Sequence, residues 1–127
     1  MAAGAQVLVV EDNEKNMKLF RDVLEAAGYR TLAATSGGEA VALAAEHLPD
    51  LVLMDIQLPD IDGVEALGRL RADGRTASLP VLALTAQAME GDRERFLAAG
   101  FDGYLSKPVD IVEFVATVRR YCEERGR

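Results

Sequence analysis

Glu11 and Asp12 follow the apolar run Val7-Leu8-Val9-Val10, Asp55 follows Leu51-Val52-Leu53-Met54, and Lys107 follows Tyr104-Leu105-Ser106. Runs this short, separated by segments of helical periodicity, read as strands buried on both faces by crossover helices. Side by side in a parallel sheet, they would bring three carboxylates and one ammonium to the edge where open parallel sheets bind ligands. Carboxylates about 4 Å apart repel by roughly 4 kcal/mol per pair at an effective dielectric near 20, so the cluster calls for a cation. Oxygen-only donors favour a hard ion. Few carboxylates, with room left for waters and a phosphate, fit Mg²⁺ better than the fuller oxygen cage of Ca²⁺.

The intervening segments supply the helices. Met17, Phe20, Val23, Leu24 and Ala27 recur at helical spacing, with Gly28 as a C-terminal cap. Thr31 to Ala34 is a short second strand; Ser36 and Gly37 lead into a second helix carrying Ala40, Val41, Ala44 and Leu48 and closed by Pro49. A loop with Pro59, Asp60, Asp62 and Gly63 precedes a third helix with a buried stripe of Val64, Leu67 and Leu70. Pro80 opens a fourth strand, Val81 to Leu84, that stops at Thr85, and a helix from about Ala88 to Ala99 carries Met89, Phe96 and Leu97. Gly91 falls inside that helix at a cost of about 1 kcal/mol against Ala, which marks it as the least stable, mobile element. Phe101 to Leu105 makes a fifth strand, and Ile111, Val115, Val118 and Cys122 give the last helix its face.

Five strands alternating with five helices specify an α/β fold, a doubly wound parallel sheet covered on both faces. Periodicity does not give the strand order; the flavodoxin-like order 2-1-3-4-5 is the one known for this architecture. The 127 residues fit one domain, with a core from about 5 to 124 and no output domain appended.

Half of the residues are apolar and 28% are charged, as in a globular protein. A net charge of -7 argues against nucleic-acid binding. Cys122 and His47 are the only residues of their types, so neither an internal disulfide nor a zinc site is expected, and a reducing cytoplasm fits. Met1 to Val10 lacks a basic n-region and meets Glu11 after ten residues, so it is neither a signal peptide nor a membrane span.

Four motifs together, Val9-Val10-Glu11-Asp12-Asn13, LVLMDIQLPDIDG from Leu51 to Gly63, Leu84-Thr85-Ala86 and Tyr104-Leu105-Ser106-Lys107-Pro108, resemble the receiver domains of bacterial two-component response regulators. The stretches EDNEKNMKLF and AMEGDRERF are also similar to single-domain DivK-type regulators, which govern cell-cycle histidine kinases; receivers of hybrid kinases share the opening EDNxxN. The resemblance implies that Asp55 is the phosphoacceptor. Asp12, Asp55 and the backbone carbonyl of Gln57 would bind Mg²⁺, with Glu11 acting directly or through a water. It further implies that Thr85 and Lys107 contact the phosphoryl group, that Tyr104 is a switch aromatic, and that Lys107-Pro108 is a cis peptide. Gln57 and Gln87 would tune dephosphorylation or be plain loop amides.

Taken singly, each residue has a simpler role open to it. Asp12 and Asn13 could cap a helix, as could Thr85; Lys107 could be a solvated lysine, and Tyr104 could merely pack. Their joint placement at strand ends favours a stand-alone switch that accepts phosphate from a histidine kinase or histidine phosphotransfer protein. Its output would reach a kinase-like regulator through the face formed by the fourth helix, fifth strand and fifth helix. Two other readings stand beside it: a receiver excised from a hybrid kinase, and a module that docks without phosphorylation. A magnesium phosphohydrolase would ordinarily carry a second aspartate where Gln57 stands.

Overall fold

The computed structural model describes residues 4–86, 91–107 and 109–125, with the backbone alone at 124 and 125. Five strands form one parallel sheet: β1 (Gln6–Val10), β2 (Arg30–Ala34), β3 (Leu51–Asp55), β4 (Val81–Thr85) and β5 (Gly103–Ser106). Their order is β2-β1-β3-β4-β5, as expected for a doubly wound sheet. The β-branched and leucine side chains of β1, β3 and β4 are almost wholly buried, because helices cover both faces.

The helices are α1 (Glu14–Ala26), α2 (Gly37–His47), α3 (Gly63–Ala72), α4 (Asp92–Ala99) and α5 (Ile111–Arg125). Strand residues alternate between two cores. Leu8, Val10, Val52, Met54, Val81 and Ala83 meet Ala40 and Ala44 of α2, Leu67 and Leu70 of α3, and Phe96 of α4. Val7, Val9, Leu51, Leu53, Leu82 and Leu84 meet Phe20 and Leu24 of α1 and Phe114, Val118 and Cys122 of α5. Among the described residues, no helix is long and apolar enough to cross a membrane.

Several expected faces are rotated. Gly63, Ala66, Leu67 and Leu70 line the buried side of α3, so Val64, about 100° around the helix from Gly63, is exposed. Leu48 leaves the α2 face because the helix stops at His47 and Leu48 turns out in a left-handed conformation ahead of Pro49. In α5 the buried series is Phe114, Val118 and Cys122 at i, i+4 and i+8; Ile111 projects from the first turn and is exposed. Phe114 sets this rotation by stacking on Phe20 of α1, with ring centroids 5.3 Å apart.

The largest difference concerns α4. Its first residue is Asp92, and Gly91 is its N-cap at φ +88°, a conformation glycine adopts without a Cβ clash, so Gly91 does not interrupt the helix. Ala88 and Met89 lie outside the described residues. Leu97 is exposed, which leaves Phe96 as the buried apolar anchor of an eight-residue helix.

At the opposite end of the sheet, Arg71 joins several elements. Its guanidinium donates to the carbonyls of Gly100 at 2.9 Å, Leu79 at 2.6 Å and Ala77 at 3.0 Å, and to Asp102 Oδ2 at 3.1 Å. Asp102 Oδ2 also accepts from Val81 N, and its carbonyl accepts from the Tyr121 hydroxyl.

Phe114 is 1% exposed and carries the contact between α1 and α5. Phe114→Ala is expected to destabilise the fold by about 3–5 kcal/mol through lost transfer energy and the cavity left behind. Urea unfolding followed by circular dichroism measures the change; a loss below about 1 kcal/mol would mean that α5 does not close the core in this way.

Candidate functional site

The register places the site. Val10 lies beside Met54 across β1 and β3, so Glu11, one residue further, comes level with Asp55. Asp55 pairs with Leu84 and Thr85 with Ser106, so Thr85 and then Lys107 each stand one step further along the same edge. Extended pairing continues past the strands, with Glu11 N donating to Ala34 O and Lys107 N to Thr85 O. Alternation therefore puts Glu11, Asp55 and Lys107 on the side of α1 and α5, and Thr85 on the side of α4.

Lys107 Nζ lies 2.9 Å from Asp55 Oδ2 and 2.5 Å from Glu11 Oε1. The second oxygens are also held: Asp55 Oδ1 accepts from Gln57 N at 3.0 Å and Glu11 Oε2 from Asn13 N at 3.1 Å. Glu11 is 1% exposed and Asp55 5%. Burial pushes the Glu11 carboxyl above the usual glutamate range; the Lys107 bond opposes this and neighbouring Asp55 adds to it. Burial works against a charged Lys107, yet its hydrogen bonds to Glu11 and Asp55 prevail and raise its pKa, so it stays an ammonium at neutral pH. The cation inferred from three crowded carboxylates is thus partly the protein's own.

Asp12 completes the acidic group. One carboxylate oxygen from each of Glu11, Asp12 and Asp55 lies within 4.8 Å of the others. Asp12 is exposed, and Asn13, not Asp12, caps α1 by accepting from Asn16 N at 3.0 Å. Two buried carboxylates and one exposed carboxylate are a hard-oxygen donor set that fits a divalent cation open to solvent. Gly63 keeps the strand end in place: a Cβ there would lie 2.5 Å from Asp55 O and 2.9 Å from Ile56 Cα.

On the α4 side, Asp55, Thr85, Asp92, Arg95 and Phe96 line a cleft of about 390 Å³. Tyr104 does not line it; its ring packs 5.9 Å from Phe96, which connects it to the cleft through one side chain. Gln57 is exposed at the cleft's rim. Gln87 and Pro108, and with Pro108 the expected cis peptide, lie outside the described residues. Sequence reasoning missed the pair Asp92 and Arg95, whose ions are 2.9 Å apart; their i, i+3 spacing was the available signal.

The response regulator receiver domain family matches residues 7–119. The polar-differentiation response regulator DivK of Brucella ovis is 51% identical over 115 residues, covering 91% of this chain and 94% of that protein. The receiver domain of sensor histidine kinase PA1611 from Pseudomonas aeruginosa, crystallised with a magnesium ion coordinated in its active site cleft, is 38% identical with a TM-score of 0.87, over 95% of this chain and 99% of that one. The chemotaxis response regulator CheY4 of Vibrio cholerae, at 28% identity, also has a TM-score of 0.87, over 94% of this chain and 99% of that one. A matched sheet order, an acidic cluster beside a lysine at its carboxyl edge, and a family profile spanning most of the sequence converge on one assignment: this chain belongs to the response regulator receiver domains.

Proposed function

We propose that the protein is a DivK-like switch in a two-component phosphorelay. Asp55 accepts a phosphoryl group from a phosphohistidine donor, carried by a histidine kinase or a histidine phosphotransfer protein in the cytoplasm. The observation that carries this reading is Lys107 held between Glu11 and Asp55, with Asp12 alongside. In the transfer, an Asp55 oxygen bonds to phosphorus as the phosphorus–nitrogen bond breaks, and the departing imidazole keeps the bonding pair. Lys107 then pairs with the new phosphoryl oxygens, and the Thr85 hydroxyl donates to them from the α4 side.

Glu11, Asp12, Asp55 and the Gln57 carbonyl are the groups that would hold Mg²⁺. When bound, the ion offsets charge on the phosphoryl oxygens. The magnesium in the related PA1611 receiver supports this choice. Receiver domains are signalling proteins, and this one is assigned self-catalysed acceptance and loss of phosphate without substrate turnover.

Output is assigned to the face of α4, β5 and α5, toward a kinase-like regulatory protein. An eight-residue helix is too short to persist alone, so α4 depends on its packing through Phe96. Tyr104 touches that anchor, while Leu97, Ile111 and Val112 are exposed. A phosphoryl group shifts such an element only by its differential contacts with two states, and Thr85 and Lys107 supply them.

Acetyl phosphate with Mg²⁺ is expected to label wild type at a single residue, and Asp55→Asn to abolish the label; equal labelling of the variant, read by mass spectrometry, would remove the assignment, and equal labelling in EDTA would remove the metal requirement. Mg²⁺ at 100 times its Kd is expected to stabilise the apo fold by about 2.7 kcal/mol, and Asp12→Ala to lose most of that gain. Identical Mg²⁺-dependent melting shifts in both proteins would refute the three-carboxylate site. Beryllofluoride is expected to shift amide NMR signals of 91–106 more than those of α2 beyond its first turn. Changes confined to Glu11, Asp12 and Asp55, with partner affinity unaltered by phosphorylation, would identify a docking module instead.

A further inference from the structure

Asp60, at the tip of the loop between β3 and α3, reaches across to the start of α2. Its Oδ1 accepts from Gly37 N at 2.8 Å and its Oδ2 from Gly38 N at 2.9 Å. The partners are 23 and 22 residues away in sequence, so this is a tertiary contact. Both glycines suit it: a Cβ on Gly37 would lie 2.4 Å from Ile61 Cγ1, and one on Gly38 would lie 3.2 Å from Asp60 Oδ2. Hydrogen bonds from the backbone amides of Gly38, Gly37 and Ile61 hold the exposed Asp60 carboxyl down at about 2, so it is ionised throughout the neutral range.

A local cap for α2 already exists. Ser36 Oγ accepts from Glu39 N at 3.2 Å, and Glu39 Oε1 accepts from Thr35 N, one residue before the N-cap, at 2.7 Å, a variant of the capping box. The contribution particular to Asp60 is to the loop. Gly63 N donates to Ile56 O at 2.8 Å and closes the base, and Gln57 N donates to Asp55 Oδ1. From Gln57 to Ile61, among the described residues, the loop's hydrogen bonds to another element are those of Asp60.

We propose that Asp60 is a positioning residue for the metal site: by fastening the loop to the first turn of α2, it holds Gln57, whose amide donates to Asp55 Oδ1, and with it the carbonyl that the Mg²⁺ reading assigns to the ion. This inference rests on the Mg²⁺ reading above. Coupling of this kind is reciprocal, so whatever the clamp contributes to Mg²⁺ binding, Mg²⁺ returns to the clamp. The ion should therefore be felt at Gly37 and Gly38, which are not among its ligands.

The test uses the full chain, with Mg²⁺ alone as the probe. Calorimetry gives Kd, and amide hydrogen exchange by NMR reads Gly37 and Gly38. Wild type is expected to bind Mg²⁺ and to slow exchange at both amides. Asp60→Ala should raise Kd about fivefold or more and abolish the slowing. Asp60→Asn, which keeps one acceptor oxygen, should fall between them and guards against misfolding of the alanine variant. Ser36→Ala removes the local cap without touching the loop, so it should lower Tm while leaving Kd within about twofold of wild type. The inference is overturned if Asp60→Ala and Asp60→Asn bind Mg²⁺ like wild type, or if Mg²⁺ leaves exchange at Gly37 and Gly38 unchanged; Asp60 is then only a second helix cap. Absence of Mg²⁺ binding by wild type would fell the metal reading itself, and this inference with it.

Discussion

A single ammonium shared by two buried carboxylates sets the terms for the carboxyl edge of the sheet. Taking Lys107, Glu11 and Asp55 out of water is costly, and mutual attraction offsets that cost only if all three arrive with close geometry. The register delivers it: Glu11 comes level with Asp55, and Thr85 and then Lys107 each stand one step further along the same edge. With Asp12 included and every group ionised, the site keeps two uncompensated negative charges, which one divalent ion would balance. An arrangement neutral within itself would offer such an ion little; one without Lys107 would strain the apo fold.

The period-two alternation of strands sends the residues at the carboxyl edge to two different layers. Glu11, Asp55 and Lys107 point toward the α1 and α5 layer, while Thr85 ends β4 on the opposite side, where Phe96 and Tyr104 pack. On the proposed function, a change at Asp55 would reach the α4 layer through the end of β4, with no need for movement of the sheet's interior.

Much of this was legible in the sequence because the strands are apolar on both faces and the charged groups stop them abruptly. The whole acidic cluster and Lys107 could be placed from that pattern once parallel pairing was assumed. Strand order came from knowledge of the architecture, since hydrophobic periodicity carries no record of which strands are neighbours. Helix faces were read less well. Val64, Leu48, Leu97 and Ile111 lie at or near helix ends, where one residue of error in a boundary changes whether a side chain meets the sheet or water. Phe114 was overlooked because a series beginning at Ile111 fits a period of 3.6 nearly as well, and only the ring of Phe20 decides between them. Long-range polar contacts such as those of Asp60 and Arg71 leave no local pattern at all.

The Arg71 guanidinium gives α4 a fixed heel. It binds the carbonyl of Gly100, the residue that ends that helix, and ties it to the segment before β4 and to Asp102. A helix moored at one end moves as a lever. Eight residues at about 1.5 Å each make an arm of roughly 12 Å, so a tilt of about 10° displaces the far end by about 2 Å and the heel hardly at all. The long end of that arm is Asp92, at the wall of the cleft beside Asp55 and Thr85. A small rotation thus has its greatest amplitude beside Asp55 and Thr85 and its least at the opposite rim of the sheet.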